Sequence, residues 1–364
     1  MKILQVINSL AIGGAERLLV DLCPRLISRG LECQVVVLTS ANDHLSSELL
    51  KSGVEVITLS NEPSPYNIVN IHRLNKCIRV IKPDIIHAHL FPVQYYCALA
   101  MNQKAVLITT EHNSFNRRMK SVFFRPIEKY IYCKYARVIA ISKGVEEALF
   151  QYLGHKYPIE VIYNGIDTRW FFNYGGKKRD EDGKIYVGMA ARFVPQKDQA
   201  TIVRAISALP KKYCAIFAGD GENRFDVEDL AENLGISDRI EFAGTIYDIR
   251  DLFSQIDIYI QSSNWEGFGI AALEAMAAGL PVISSDVPGL REVIGATGLF
   301  FPPGDFQALA DVIRQLEPLG KRSEEGAKNV KEAQKYDIEK TVDSLFKLYT
   351  SFGDDVEGPK KKHR

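Results

Sequence analysis

The sequence predicts an α/β protein made of two doubly wound, Rossmann-like domains. Three observations lead there. Short apolar, β-rich runs alternate with helical patterns along nearly the whole chain, and such alternation implies parallel sheets covered by helices on both faces. The length of 364 residues suits two domains at roughly 100–200 residues each. The rhythm breaks once, at residues 173–184 (NYGGKKRDEDGK), whose polar, Gly-containing, charged composition reads as a linker.

The first strand is read at 2–8, where an apolar run leads into Gly13-Gly14. That run is far too short for a membrane span and lacks the apolar core of a secretory signal. Further strands are expected at 33–39, 54–59, 84–89, 105–110, 137–141 and 159–163, with helical patterns at 15–29, 67–81, 91–102, 118–135 and 143–153. The second series has strands near 185–190, 213–218, 239–243, 257–261, 281–285 and 298–301. Its helices lie near 197–208, 223–235, 247–255, 269–278 and 305–317, and two more patterns follow at 321–334 and 338–351. The expected division is a first domain over 1–168, a linker over 169–184 and a second domain over 185–335. A helix over 336–352 is expected to return to the first domain, ahead of a polar tail over 353–364. Open α/β sheets bind ligands at the carboxyl ends of their strands, so a cleft between two such edges is the expected site.

Composition narrows the function classes. At 46% hydrophobic and 25% charged residues the chain reads as an ordinary soluble protein. Equal numbers of Lys+Arg and Asp+Glu, 45 of each, argue against a general nucleic-acid binder. The zero sum is a cancellation. Residues 1–167 carry 19 cations against 14 carboxylates, and the remainder carries the opposite excess. Six cysteines, at 23, 33, 77, 97, 133 and 214, form no C-x-x-C pair. They read as reduced thiols of a cytoplasmic protein.

The strongest chemical signal is the segment from Glu266 to Ile283. Gly267-Phe268-Gly269-Ile270 lies between an apolar strand and an Ala-rich helix. Glycines there let a ligand approach the backbone, and free amides at a helix start suit an anion. Glu266 and Glu274 could each accept two hydroxyl hydrogen bonds from a sugar or ribose. Taken alone, they would read as a cap and a solvated helix face. Arg192 and Lys197 follow a strand and precede a helix. A guanidinium fork with a mobile ammonium suits a diphosphate, although two such cations more often simply face solvent. Gly13-Gly14 precedes an amphipathic helix and reads equally as a phosphate or sugar contact and as a tight turn. No G-x-G-x-x-G or P-loop occurs there, which disfavours a nicotinamide site. His87 and His89 share a strand face. They could ligate a metal, but no further ligand is suggested, and a core or cleft-lining role is favoured. Asp180-Glu181-Asp182 resembles a D-x-D metal motif in letters only and reads as a solvated acidic run.

These segments together resemble the GT-B glycosyltransferases, specifically the retaining family 4 with its E-x7-E motif, which Glu266 and Glu274 match. The resemblance covers nearly the whole chain. It takes in Gly13-Gly14 after the first strand, Thr110-Glu111-His112-Asn113 as the catalytic-histidine segment and Asn164-Gly165-Ile166-Asp167 as the interdomain hinge. It also takes in Arg192 with Lys197 as the phosphate-binding pair and Gly219-Asp220-Gly221-Glu222 as the second glycine loop. It implies catalytic roles for His112, Arg192, Lys197 and Glu266. It implies donor contacts from Gly13, Gly14, Asn164, Gly219, Asp220, Gly221, Glu222, Gly267, Phe268, Gly269, Ile270 and Glu274. His112 would face the donor sugar, and Glu111 would point the other way if the strand continues. The first domain would serve the acceptor and the second the nucleotide-sugar, with no cofactor and no metal. A UDP-sugar donor is expected on family frequency. The opening Gln5 to Arg17 resembles bacterial surface-polysaccharide transferases, so a glycan or lipid-linked acceptor is expected. The family often has Gly after the phosphate-binding Lys, where this chain has Asp198.

Between His112 and Lys143 eight cations, including Arg117, Arg118, Lys120 and Arg125, face the single carboxylate Glu128 and interleave with Phe123, Phe124 and other aromatics. Such a segment suits an anionic membrane surface and hence a peripheral place at the inner face of the plasma membrane. A single-stranded nucleic acid would use similar residues, as would a helix with one core face and one solvated face. Three other functions share the architecture. A sugar-nucleotide epimerase would act on donor alone. A two-lobed solute-binding protein would ordinarily carry an export signal. A dinucleotide oxidoreductase would carry the missing glycine fingerprint.

Overall fold

A computed structural model of the chain describes residues 1–41, 43–100, 104–113, 118, 123–172, 174–175, 183–295 and 298–354. The chain divides into two compact units, Met1–Gly165 with Ile338–Arg364, and Ile166–Asp337.

Unit 1 contains strands β1 (Lys2–Ile7), β2 (Glu32–Val37), β3 (Glu55–Thr58), β4 (Ile85–His89), β5 (Val106–Glu111), β6 (Arg137–Ala140) and β7 (Ile159–Val161). They pair in the order β3-β2-β1-β4-β5-β6-β7, and every ladder is parallel. Parallel neighbours need long crossovers. Helices α1 (Gly14–Ser28), α2 (Ser46–Lys51), α3 (Val69–Ile81), α4 (Val93–Leu99), α5 (Phe124–Tyr132) and α6 (Lys143–Leu153) lie along them. The central strands β1 and β4 are buried on both faces almost throughout, so the polar Gln5, His87 and His89 within them must find their partners inside the fold.

Unit 2 repeats the plan. It opens with α7 (Thr168–Phe171), then β8 (Ile185–Ala190), α8 (Gln199–Ser207), β9 (Tyr213–Ala218), α9 (Arg224–Asn233), β10 (Ile240–Gly244) and α10 (Ile249–Phe253). It continues with β11 (Ile258–Gln261), α11 (Ile270–Ala277), β12 (Val282–Ser285), α12 (Pro288–Ile294), β13 (Leu299–Phe301), α13 (Phe306–Gln315) and α14 (Leu319–Ala333). The parallel strand order is β10-β9-β8-β11-β12-β13. In both units the order reverses beside the first strand, at β1/β4 and at β8/β11. Crossovers leave in opposite directions there, and the strands' carboxyl ends at such a point are where open α/β sheets bind ligands.

The last helix, α15 (Ile338–Asp354), belongs to unit 1. Ile338, Val342, Leu345, Leu348 and Tyr349 join its core with Ile3, Ile7, Leu19 and Leu22. Arg25 of α1 and Arg29 just past its end hold Glu339 at 3.0 and 2.7 Å, and Arg29 also reaches Asp343 at 2.6 Å.

Two boundaries differ from expectation. The units divide between Gly165 and Ile166, and residues 169–184 are not a plain linker. Asp167 caps α7 by accepting from the amides of Arg169 and Trp170 at 3.1 and 3.3 Å. Phe171 packs edge-on against Phe253, and the Gly175 amide donates to Ala278 O at 3.0 Å. The capping Asp and the apolar Trp170-Phe171-Phe172 lie just ahead of the polar window that suggested a linker, so its composition missed them. Asp180-Glu181-Asp182 lies outside the described residues. The helix runs to Asp354, so the start of the expected tail at 353 is helical; residues 355–364 lie outside the described residues. The short helices α2, α7 and α12 had no sequence counterpart, because one or two turns carry too little periodicity.

Candidate active site

In unit 2 the switch point collects most of the expected residues. The β8–α8 loop carries Arg192 and Lys197, and the β11–α11 loop carries Glu266 to Gly269. Lys197 forms an ion pair with Glu266, and Ser263 Oγ lies 3.4 Å from the same carboxylate oxygen. Arg192 behaves differently. It is exposed, and among the described residues its guanidinium has no hydrogen bond or ion pair. Asp198, where the family often has Gly, caps α8: it accepts from Thr201 N at 3.2 Å and from Thr201 Oγ1 at 2.6 Å. The substitution therefore sharpens the helix start without adding a ligand-facing charge.

Gly219 and Gly221 have a packing reason to be glycine. Both take positive φ, at 133° and 157°, and a methyl on either would overlap the carbonyl of Ala191 or Phe193. The β9–α9 loop is thus laced to the β8–α8 loop, with Phe193 N donating to Asp220 O and Asn223 N to Phe193 O, both at 3.0 Å. Asp220 and Glu222 project from it, exposed. Gly269, at φ 95°, supplies the left-handed residue before α11. Ile270 is the first residue of α11, where backbone amides lack intrahelical partners.

Glu274 is only 8% exposed, so it is not a solvated helix face. Phe268 turns its ring inward. Its ring is 2% exposed and packs edge-on against Tyr336, centroids 5.4 Å apart, so it serves the core.

Sequence reasoning missed the support beneath Glu266. Buried Tyr259 donates to Gln261 Oε1 at 2.9 Å, and Gln261 Nε2 donates to Ser263 Oγ at 3.1 Å. Burial, with Glu274 and Glu266 nearby, pushes the Tyr259 hydroxyl far above its ordinary pKa, so it stays a donor. A Gln inside the apolar strand Ile258–Gln261 was the available signal, since a buried amide must find partners. Ser262 Oγ is buried with none.

In unit 1, Gly13 precedes α1 with extended backbone, and the Glu16 carboxylate folds back over it, as a residue at the third helical position can. Gly14 opens the helix. His112 follows β5, and Glu111 points away from it. Glu111 is buried, accepts from Gln94 Nε2 at 2.5 Å and from the Tyr132 hydroxyl, and burial raises its pKa. His87, His89 and His112 lie together, but no trio of His, Cys, Asp or Glu among the described residues could hold a metal ion. Asn164 is buried, and its amide nitrogen has no partner.

The basic segment divides. Arg118 turns inward, 2.6 Å from buried Glu128 and 4.0 Å over the Phe91 ring, so it is not part of a surface patch. A buried Glu128 demands a cation, and Arg118 supplies it. Arg125 Nε donates to Tyr152 O at 2.9 Å. Arg117 and Lys120 lie outside the described residues. Phe123 is 89% exposed, and Phe124, Ile127 and Tyr130 are exposed with it, on one side of α5. Among the described residues, no helix is long and apolar enough to cross a membrane.

Comparison with known proteins gives this arrangement a family. Residues 12–170 match the family described as Glycosyltransferase Family 4, and residues 174–335 match Glycosyl transferases group 1. The Rhizobium meliloti lipopolysaccharide core biosynthesis glycosyltransferase LpsE is 28% identical over 84% of this chain and 85% of its own. The Bacillus subtilis putative glycosyltransferase EpsD is 29% identical over 80% and 82%. Among solved structures, Anabaena HepE in complex with UDP-glucose superposes with a TM-score of 0.84 at 24% identity, covering 96% of this chain and 100% of that one. The fold is therefore that of the GT-B glycosyltransferases, and the chain belongs to glycosyltransferase group 1, with a family 4 glycosyltransferase domain ahead of its group 1 domain.

Proposed function

We propose that the protein transfers a sugar from a nucleotide-sugar, a UDP-sugar, to a glycan or lipid-linked acceptor in surface-polysaccharide synthesis, with retention of configuration and without a metal. The observation that carries this reading is the meeting of Lys197 and Glu266 at the β8/β11 switch point, with unpartnered Arg192 in the same loop. A diphosphate would draw Lys197 from Glu266 and be clasped by Arg192, leaving the Glu266 carboxylate for the sugar's hydroxyls. The two cations would neutralise the departing nucleotide diphosphate, the charge work a metal does elsewhere. Glu274 would accept from the ribose hydroxyls. The leaving phosphate would take the acceptor's proton on the face it departs from, so the bond forms on that same face. Solved HepE complexes contain UDP with glucose and UDP-glucose, which supports a uridine donor, and relatives in lipopolysaccharide synthesis support the acceptor class.

A panel of nucleotide-sugars, scored by thermal shift and by slow donor hydrolysis, tests this reading without the acceptor. One UDP-sugar should raise Tm and release free sugar. No response to any member overturns the donor assignment. Appearance of an isomerised nucleotide-sugar from donor alone would favour the epimerase reading. The exposed side of α5 is proposed as the membrane-facing surface, with Lys129 and Lys134 beside its aromatics.

A further inference from the structure

Unit 1 contains a chain of buried hydrogen bonds that the proposed transfer leaves unused. Gln5 lies fully buried in β1. Its Nε2 donates to the Tyr349 hydroxyl at 3.1 Å, and its Oε1 lies 2.9 Å from His89 Nε2. His89 Nδ1 is 3.3 Å from His112 Nε2. On the other arm, the Tyr349 hydroxyl is 2.6 Å from His87 Nδ1, and His87 Nε2 is 2.7 Å from Thr110 Oγ1. The His87 and His89 rings lie 4.2 Å apart, and those of His89 and His112 5.6 Å apart.

Burial holds all three imidazoles neutral at pH 7: His87 is lowered to about 3, His112 to about 4, and His89 well below the ordinary value. A neutral imidazole has one N–H and one lone pair. A carbonyl oxygen only accepts, so Gln5 Oε1 requires the hydrogen of His89 on Nε2. His89 Nδ1 must then accept, which puts the hydrogen of His112 on Nε2 and leaves its Nδ1 with the lone pair. Along the other arm Tyr349 accepts from Gln5 and donates to His87 Nδ1, and His87 Nε2–H donates to Thr110. In this assignment each of these five contacts runs from one donor to one acceptor, with no two hydrogens or two lone pairs facing each other.

We propose that Gln5 and Tyr349 are positioning residues that act through His89 to set the tautomer of His112, so that His112 offers an unprotonated Nδ1 at the carboxyl end of β5. An acceptor nitrogen suits a neutral sugar hydroxyl and disfavours a phosphate, so specificity for the sugar rather than the diphosphate resides there. This rests on the reading that His112 faces the donor sugar. Tyr349 comes from the last helix, so α15 controls the chemistry of a loop far earlier in the chain.

The test is long-range 1H–15N correlation of the full chain labelled with 15N-histidine at pH 7. His112 is expected as the Nε2–H form. Gln5→Leu removes the acceptor and should shift His89 and His112 toward Nδ1–H, while exposed His72 and His155 report an unchanged fold. Gln5→Glu keeps an acceptor and should keep the wild-type tautomer. Tyr349→Phe should give a mixture. A wild-type His112 in the Nδ1–H form overturns the proposal with no variant needed, as does an unmoved His112 in Gln5→Leu. Donor hydrolysis then separates the two readings. Gln5→Leu should lower kcat/KM about tenfold, the size of one lost hydrogen bond, and Gln5→Glu should restore most of it. A shifted tautomer with unchanged kinetics would keep the relay and remove His112 from the sugar.

Discussion

Lys197 and Arg192 share a loop, yet their surroundings predict different mutants. Arg192 is exposed and unpartnered among the described residues, so Arg192→Ala should leave Tm within a degree or so, as for an exposed site. It should lower turnover by about 10²–10³, as for loss of a transition-state charge partner. Near-normal turnover would refute its role. Glu266 and Glu274 divide similarly. Glu274→Ala should weaken UDP binding measured by calorimetry, whereas Glu266→Ala should bind UDP and turn over slowly. Wild-type UDP affinity in both, with both inactive, would end the division. The buried imidazoles make a further prediction. Their folded pKa values are depressed, so between about pH 6.5 and 5 the unfolded chain binds protons that the folded chain refuses. Stability is therefore full above pH 6.5 and is lost on acidification, by about 1.4 kcal/mol per pH unit for each proton refused. Urea unfolding at pH 7 and pH 5 should show this fall, and equal midpoints would contradict it.

At the scale of elements, α5 has two sides with different duties. Ile131, Tyr132 and Glu128 are buried, the last paired with Arg118, while Phe124, Ile127 and Tyr130 are exposed after fully projecting Phe123. The proposed membrane-facing role of this exposed side rests on that division. Flotation with vesicles containing anionic lipid should carry the protein up, and the double variant Phe123→Ser with Phe124→Ser should abolish this. Equal absence from anionic and neutral vesicles would dismiss the surface. The β9–α9 loop shows why glycine recurs here. Gly219 and Gly221 are dictated by backbone packing against the neighbouring loop, so their letters announce a close approach whether or not a ligand is present. The motif reading and the structural reading agree on the residue and differ on the reason. Phe268 is the opposite case: it lies within the motif, and its ring packs in the core.

At the scale of the whole molecule, unit 1 is discontinuous and unit 2 is a single stretch. Residues 166–337 expressed alone should melt cooperatively and bind UDP. Residues 1–165 alone lack Ile338, Val342, Leu345, Leu348 and Tyr349. At about 1.5–3 kcal/mol for each large apolar side chain buried, that loss is comparable with the roughly 5–15 kcal/mol that stabilises a typical protein. They should not fold, and a cooperative transition from that fragment would show that α15 is dispensable. The alternation of strands and helices was readable in advance because a parallel sheet demands apolar strands and long crossovers, a constraint local enough to mark nearly every segment. The loops after β8, β9 and β11 were readable too, because strand ends in a doubly wound fold are where chemistry collects. Three things were not. The border at Gly165/Ile166 depends on which core α7 joins. The inward turn of Arg118 depends on a carboxylate ten residues away that only folding buries. The relay from Tyr349 to His112 joins residues from two strands, the loop after a third and the last helix. Gln5 hinted at it, as Gln261 hinted at the support of Glu266, because an amide inside a central strand must be paired. Its partners were fixed only when distant segments packed together and excluded water, the step that turns a sequence of plausible donors and acceptors into one defined network.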